Sequence, residues 1–305
     1  MDIIKLIPQI SALKYYLTFK DGKRVKNGMS TEESIETFNT MKSKSMALEQ
    51  LPYFLNASYF FVLQIIKLQH NLIETKGKNI SSGLQNLTEV ELNPIAFLTD
   101  SFFNSARRAQ DSIIPYISRS FSLSLPNSMN DLMKKLQKNE ISLPSHIKTE
   151  FEFYWNNNGK KLKDYRDLGQ HHALLSSEGW IAKNDDETLL ISILLPNNPE
   201  EKSGSRLSYN NPEVLALPYI TMEFLHLIGF MFKVTLMLLP EEINPNRNAQ
   251  VVIFRNPKIG NPLMHPIQDE KPFQNQVENY IQQLSTWFSS ENSIERPALD
   301  PNFKY

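Results

Sequence analysis

The sequence predicts a mostly α-helical bundle with a small inserted β-element, and three observations carry that reading. Ile95, Leu98, Phe102, Ala106, Ala109, Ile113 and Ile117 recur at helical spacing and mark one long apolar face. Helix-start signals punctuate the chain: Ser30-Thr31-Glu32-Glu33 is a capping box, and Asn93-Pro94 places a cap directly before a first-turn proline. Against this helical background stands one continuous apolar run, Thr188–Leu195, closed by Pro196-Asn197-Asn198-Pro199, which reads as a buried strand.

In chain order, residues 1–29 read as an irregular arm, with a short strand at Tyr15–Phe19 and a basic stretch at Lys20, Lys23, Arg24 and Lys26. A helix is expected from Ser30 toward Gln50. A second follows from Tyr53 to about Lys76, its first turn holding Pro52 and its length dense with Phe54, Leu55, Phe60, Phe61, Leu63, Ile65 and Ile66. Lys76–Thr88 reads as a polar connector. The long periodic helix should start at Pro94, capped by Asn93, and run to about Phe121 with a kink near Pro115. Arg107 and Arg108 sit in its middle, either as surface ion-pair partners or as cations facing a cleft. A short amphipathic helix is expected at Asn130–Lys138, and another from Pro144 through Trp155, ended by Asn156-Asn157-Asn158-Gly159.

Beyond residue 180, Gln250–Arg255 and Arg206–Tyr209 join Thr188–Leu195 as strand candidates for one small sheet. Pro212–Leu239 is apolar over a length that suffices for a bilayer, yet Glu223, His226 and Lys233 interrupt it. It reads as the central helix of a soluble core, with His226 a satisfied core histidine. A last helix is expected from about Phe273 to Phe288, followed by a loose tail at 297–305. The organisation is then an arm at 1–29, a bundle at 30–240 with a β-insert at about 185–210, and a strand and helix at 241–305 packed on the bundle.

Composition narrows the function classes. With 41% hydrophobic and 21% charged residues, the chain is an ordinary globular one. A formal net charge of −1 argues against a uniformly basic, nucleic-acid-coating surface but leaves room for a local basic cleft. With no cysteine there is no disulfide, thiolate zinc site or thiol nucleophile, which suits a reducing cytoplasm. The N-terminus has an early acid and no long apolar run, unlike a signal peptide. No glycine-rich phosphate loop or His-Glu-x-x-His pattern is present, and adjacent His171 and His172 with Glu178 make a poor metal set. No cofactor is expected.

The chemistry concentrates at Asp164-Tyr165-Arg166-Asp167-Leu168-Gly169-Gln170-His171-His172. Imidazole accepts and gives protons near neutrality, and guanidinium offers phosphate a planar fork of donors. Together they supply what phosphodiester cleavage needs without a metal. Residues five apart on one helix are rotated by about 140°, so Arg166 and His171 share no face of an unbroken helix. The stretch is therefore read as a helix start, with Asp167 as N-cap and Gln170 completing a capping box. Lys160, Lys161 and Lys163 with Tyr154, Trp155 and Tyr165 interleaved resemble a phosphate- and base-contacting patch. The same residues also suit a solvated face with Arg166 paired to Asp164 or Asp167.

Arg166-Asp167-x-x-x-His171 resembles the signature of the HEPN superfamily, an arginine and a polar residue followed by histidine four to six residues after the arginine. His172 satisfies that spacing as well. The resemblance covers roughly residues 30–240, with its specific part confined to Arg166–His172. It implies a helical bundle, a homodimer in which two motifs line one cleft, and metal-independent endoribonuclease activity, often in toxin–antitoxin or anti-phage defence systems with an antitoxin or defence-complex partner. In that frame Arg166 would bind the scissile phosphate and His171 would take the proton of the 2′-hydroxyl. His172 would be the alternate base or a positioning residue, Asp167 an orienting carboxylate, and Lys160, Lys161, Lys163, Tyr165, Arg107 and Arg108 RNA contacts. The competing reading is a non-catalytic module of the same fold that binds RNA, nucleotide or a protein partner.

Overall fold

The computed structural model describes residues 46–238, apart from 77–79, 81–82, 177, 184–188, 202 and 210–213, together with 251–252 and 264–265. The expected arm at 1–29, most of the Ser30–Gln50 helix, the Phe273–Phe288 helix and the tail at 297–305 lie outside these residues. The described part is mostly helical with a small antiparallel sheet.

The helix expected at Tyr53 begins slightly earlier, as α1 (Gln50–Lys76), with Pro52 in its first turn. The polar connector after it contains β1 (Gly83–Asn86). The long periodic helix is α2 (Glu89–Ser112), and it starts before Pro94. Thr88 is the reason: its backbone N–H (2.8 Å) and its hydroxyl (2.7 Å) both donate to Glu91 Oε2, the glutamate half of a capping box, five residues before Asn93. Pro94 then falls within the helix, close enough to the start that only one backbone hydrogen bond is given up. The kink near Pro115 is a full break. Ile113 separates α2 from α3 (Ile114–Phe121), where the proline occupies the first turn. Next comes α4 (Met129–Gln137), capped by Ser128, whose side chain accepts from the Asp131 N–H at 3.1 Å.

The helix α5 (Ser145–Tyr154) was expected to stop at Asn156–Gly159. Instead those residues form a π-helical turn, Trp155–Gly159, and the chain continues without a break into α6 (Lys160–His171). Gly159 takes an ordinary right-handed helical conformation. Its value is closeness: a Cβ there would sit 2.8 Å from Tyr154 Cε1 and 3.2 Å from Gln110 Nε2. The helix α6 ends at His171.

The sheet differs in membership from expectation. β2 (Gly179–Lys183), β3 (Leu189–Leu195) and β4 (Val214–Leu215) join β1 in the order β1-β2-β3-β4, with Ile181 opposite Ile191 and Leu194 opposite Leu215. Arg206–Tyr209 is no strand, and Gly204–Arg206 is a short 3-10 turn. Within the expected Gln250–Arg255 strand, Val251–Val252 pairs with Met264–His265 apart from this sheet. The apolar stretch after Pro212 is α7 (Ala216–Met237), and most of its length is buried. Both α1 and α7 are long and apolar enough to cross a membrane. In α7, however, Glu223, His226 and Lys233 each find polar partners inside the protein.

Contacts divide the chain into two units, with divisions falling inside α1, α2, α5 and α7. One unit holds α3, α4, the start of α5 and the end of α7. Its core includes Ile117, Tyr116, Met129, Leu132, Ile147 and Phe232, and Lys233 pairs with Glu150. The other holds most of α1 and α2, the π-turn, α6, the sheet and the first part of α7. Phe102, Phe103, Leu162, Tyr165, Leu168 and Ile193 form its centre. The motif lies wholly in this second unit.

The start of α2 gives a direct test of the capping argument. Burial opposes ionisation of Glu91, but hydrogen bonds from Lys76 and Thr88 outweigh it and lower its pKa from 4.5 to about 2. A carboxylate with a depressed folded pKa contributes stability above its unfolded value and loses it as pH falls through the folded one. Glu91→Gln should therefore flatten the stability-versus-pH curve between pH 4.5 and 2, and Thr88→Ala should cost about 1 kcal/mol at pH 7. Denaturant melts across that pH range check both.

Candidate functional site

The helix α6 is fixed by its middle. Tyr165 is fully buried, stacks on Phe103 at 5.0 Å and donates its hydroxyl to the Pro196 carbonyl at 2.7 Å. That bond ties α6 to the end of β3. It also removes Tyr165 from any role in stacking on bases. The expected N-cap at Asp167 is not formed, because α6 has already run from Lys160. Asp167 spends its carboxylate on side chains instead, accepting from Arg166 at 2.8 Å and pairing with Lys163 at 2.8 Å. Burial works against its ionisation, and these two cations outweigh that and hold its pKa below the ordinary value.

The expected basic patch is a ladder of alternating charge. Lys160 pairs with Asp164 at 2.8 Å, Lys163 with Asp164 at 3.1 Å and with Asp167 at 2.8 Å, and Arg166 with Asp167 at 2.8 Å. Lys161 points elsewhere, over the rings of Tyr219 (5.3 Å) and Tyr165 (5.9 Å). Arg107 is buried and donates to Gln110 at 3.0 Å, and Arg108 lies over the Phe54 ring at 4.4 Å. Neither arginine stands beside the motif histidines in these contacts. Arg166 keeps a half-exposed guanidinium with donors beyond the one given to Asp167.

The helix ends at the histidines. His172 is the C-cap and leaves helical geometry, its N–H donating to the Leu168 carbonyl at 2.9 Å; the Ala173 N–H reaches the same oxygen at 3.1 Å. Both imidazoles are exposed, with ring centroids 6.1 Å apart. The motif thus sits at a helix C-terminus, where free carbonyls gather, and the anion-binding N-terminus expected beside Arg166 is absent. Within α6, Arg166 and His171 point about 140° apart. One copy of the chain does not converge them.

Sequence reasoning passed over a second cluster in the same unit, around the π-turn. Asn158 Nδ2 donates to Glu223 Oε1 at 3.3 Å and lies 2.8 Å from His226 Nδ1, while Gln110 Nε2 donates to the Tyr154 hydroxyl at 2.8 Å and the Gly159 carbonyl at 3.2 Å. The Glu223 carboxyl and the Tyr219 hydroxyl, one turn apart on α7, lie buried against each other in this cluster. Burial pushes the Glu223 pKa up to about 7 and that of His226 down to about 4. A neutral His226 accepts a hydrogen bond from the Asn158 amide at Nδ1, at 2.8 Å. The available signal was Glu223 and His226 one turn apart in an otherwise apolar stretch.

Among the described residues no group of three or more His, Cys, Asp or Glu side chains gathers as a metal site would need. Comparison with family models, curated proteins and solved structures returns no match for the chain.

Glu223 generates a pH prediction of opposite sign to that of Glu91. Its folded pKa lies above the unfolded 4.5, so the protein holds the extra proton and loses stability as pH rises from 4.5 through about 7. Glu223→Gln keeps the acceptor for Asn158 without the charge. It should abolish this loss and stabilise the protein at pH 8 by on the order of a few kcal/mol. Parallel melts at pH 5 and pH 8 test it; equal losses in wild type and variant contradict a buried, proton-holding Glu223.

Proposed function

We propose that the chain is a metal-independent endoribonuclease of HEPN type whose site is shared between two copies of the α6 C-terminus. The observation that carries this reading is the placement of Arg166, His171 and His172. A guanidinium with spare donors and two solvent-exposed imidazoles occupy consecutive turns at the end of one well-anchored helix. That set supplies a phosphate clamp and a proton acceptor, the two roles that attack by a 2′-hydroxyl on phosphorus requires. The 2′-hydroxyl gives its proton to imidazole as its oxygen bonds to phosphorus. The 5′-oxygen leaves with a proton from a second acid, and a 2′,3′-cyclic phosphate remains.

The divergence of Arg166 and His171 on α6 is what argues for two copies. A two-fold axis near the helix end brings the arginine of one protomer to the histidine of the other. Asp167 has a different role from the one its sequence position suggested. It is the counter-ion that RNA phosphate displaces from Arg166 and Lys163. His171 is the favoured base, because it is the last residue held by the helix, and His172 is the positioning partner. Cytoplasmic location and a role in defence or toxin biology belong to the same proposal. The alternative is a non-catalytic module that binds RNA, nucleotide or a protein partner; the charge ladder of α6, whose cations already have carboxylate partners, favours the protein-docking form of it.

The test follows from shared sites. Arg166→Ala and His171→Ala should each lower RNA cleavage in EDTA by roughly 10²–10⁴-fold while leaving the melting temperature unchanged. Mixing the two dead variants and allowing subunits to exchange should restore about a quarter of wild-type activity, because half the dimers are mixed and each mixed dimer carries one intact composite site. No restoration places the site within one copy. Full activity of both single variants removes the ribonuclease reading and leaves the binding module.

A further inference from the structure

The chain leaves β3 beside the middle of α6 and meets the motif again just past the histidines. Its departure is held by the hydrogen bond from the Tyr165 hydroxyl to the Pro196 carbonyl at 2.7 Å. Farther along, the 3-10 turn Gly204–Arg206 packs on the residue that follows His172. A Cβ at Gly204 would lie 3.8 Å from the Ala173 Cβ, an ordinary van der Waals contact. All of these residues belong to the unit that contains α6.

Local hydrogen bonds fix the turn in that place. Asn198 holds it from across the loop: Nδ2 donates to the Arg206 carbonyl at 3.0 Å, and Oδ1 accepts from the Ser208 N–H at 2.8 Å. The Asn197 N–H donates to the Ser208 carbonyl at 2.8 Å. Within the turn the Arg206 N–H donates to the Ser203 carbonyl at 2.9 Å, and the Ser203 N–H donates to Glu201 Oε1 at 3.1 Å. An asparagine side chain that bonds backbone groups on the far side of a loop substitutes for a strand partner and keeps the loop in one shape.

The side chains this turn presents suit a phosphate. Arg206 and Ser205 are exposed, Ser203 is half-buried, and the two serine hydroxyls lie 2.9 Å apart. Among the described residues the Arg206 guanidinium has neither an ion-pair nor a hydrogen-bond partner. Lys160, Lys163 and Arg166 differ, because each already holds a carboxylate. A guanidinium carries five donors in a planar fork, and here all of them are open beside two exposed imidazoles.

We propose that Arg206, with the hydroxyls of Ser203 and Ser205, binds an RNA phosphate at the histidine end of α6 in the same chain. Arg166 is assigned the scissile phosphate, so Arg206 takes a neighbouring one and holds the strand against the imidazoles. The ligand class rests on the ribonuclease reading, but the contact requires RNA binding only and not cleavage.

The experiment separates the two. A short single-stranded RNA with 2′-O-methyl groups throughout lacks the nucleophile, so its binding is measured without cleavage, by fluorescence anisotropy over a range of salt concentrations. Arg206→Ala should weaken binding about tenfold at low salt. It should also reduce the slope of log K against log salt by about 0.7, the share of one phosphate on a single strand. Arg206→Lys should recover the slope but only part of the affinity, since it keeps the charge and loses the fork. Both variants should melt with the wild type, because the side chain is exposed. An unchanged slope in Arg206→Ala overturns the proposal, and so does an equal drop in Lys134→Ala, a cation on α4 in the other unit. Cleavage of unmodified RNA is followed in parallel. Wild-type protein that binds with an Arg206-dependent slope and does not cleave removes the ribonuclease reading and keeps the phosphate site. Wild-type protein that cleaves while Arg206→Ala binds normally does the reverse. Absence of RNA binding overturns both.

Discussion

The approach of α2 to α6 at Gly169 is the constraint on which the rest of the candidate site depends. A Cβ at that position would lie 2.4 Å from Asp100 Oδ1 and 3.1 Å from Leu175 Cγ, so glycine lets the end of α6 approach α2 without displacing either side chain. Glycine inside a helix is worth about 1 kcal/mol less than alanine. That cost is offset by the packing it permits: Leu168 and Tyr165 are buried on one side, and the helix terminates on the Leu168 carbonyl just where the histidines begin. A second glycine does similar work at the other end. Gly159 lets the π-turn press against Tyr154 and Gln110, which sets the rotation of α6 from its first residue.

Rotation matters because of how α6 distributes its charge. Its acids and bases alternate at ladder spacing, so Lys160, Lys163 and Arg166 all have anionic partners. Of these, the part-exposed Arg166–Asp167 pair is worth little, about 0–1 kcal/mol, whereas the Lys160 and Lys163 pairs close on Asp164, which is buried. The buried Glu223–Asn158–His226 group lies in the same unit and contributes a different property, a stability that depends on pH near neutrality.

Most of the helical framework was legible in the sequence, since apolar periodicity reports burial directly. Ile95, Phe102, Ala106 and Ile113 face the core as their spacing requires. Local end signals were less informative. Asp167-Leu168-Gly169-Gln170 has the letters of a capping box, but the Asp167 carboxylate is drawn to Lys163 and Arg166, a choice made by side chains one turn away. Asn156–Gly159 looks like a stop and is a π-turn, because tertiary packing on Gly159 keeps the backbone helical. β1 has no strand pattern of its own, and pairing with β2 imposes the conformation on Gly83–Asn86. Arg206 stood in the sequence as the start of a strand candidate. Its place beside the histidines follows from the contact of Gly204 with Ala173.

Metal-free cleavage by the Arg166–histidine constellation is the claim most directly open to contradiction, and the chemistry of the product ends tests it. RNA incubated with the protein in EDTA should yield fragments bearing 2′,3′-cyclic phosphate on one side and a free 5′-hydroxyl on the other, since the 2′-hydroxyl is the nucleophile and the 5′-oxygen the leaving group. RNA whose 2′-hydroxyls are methylated should remain intact. Fragments with 3′-hydroxyl ends, cleavage of the methylated RNA, or intact RNA after prolonged incubation would contradict the account.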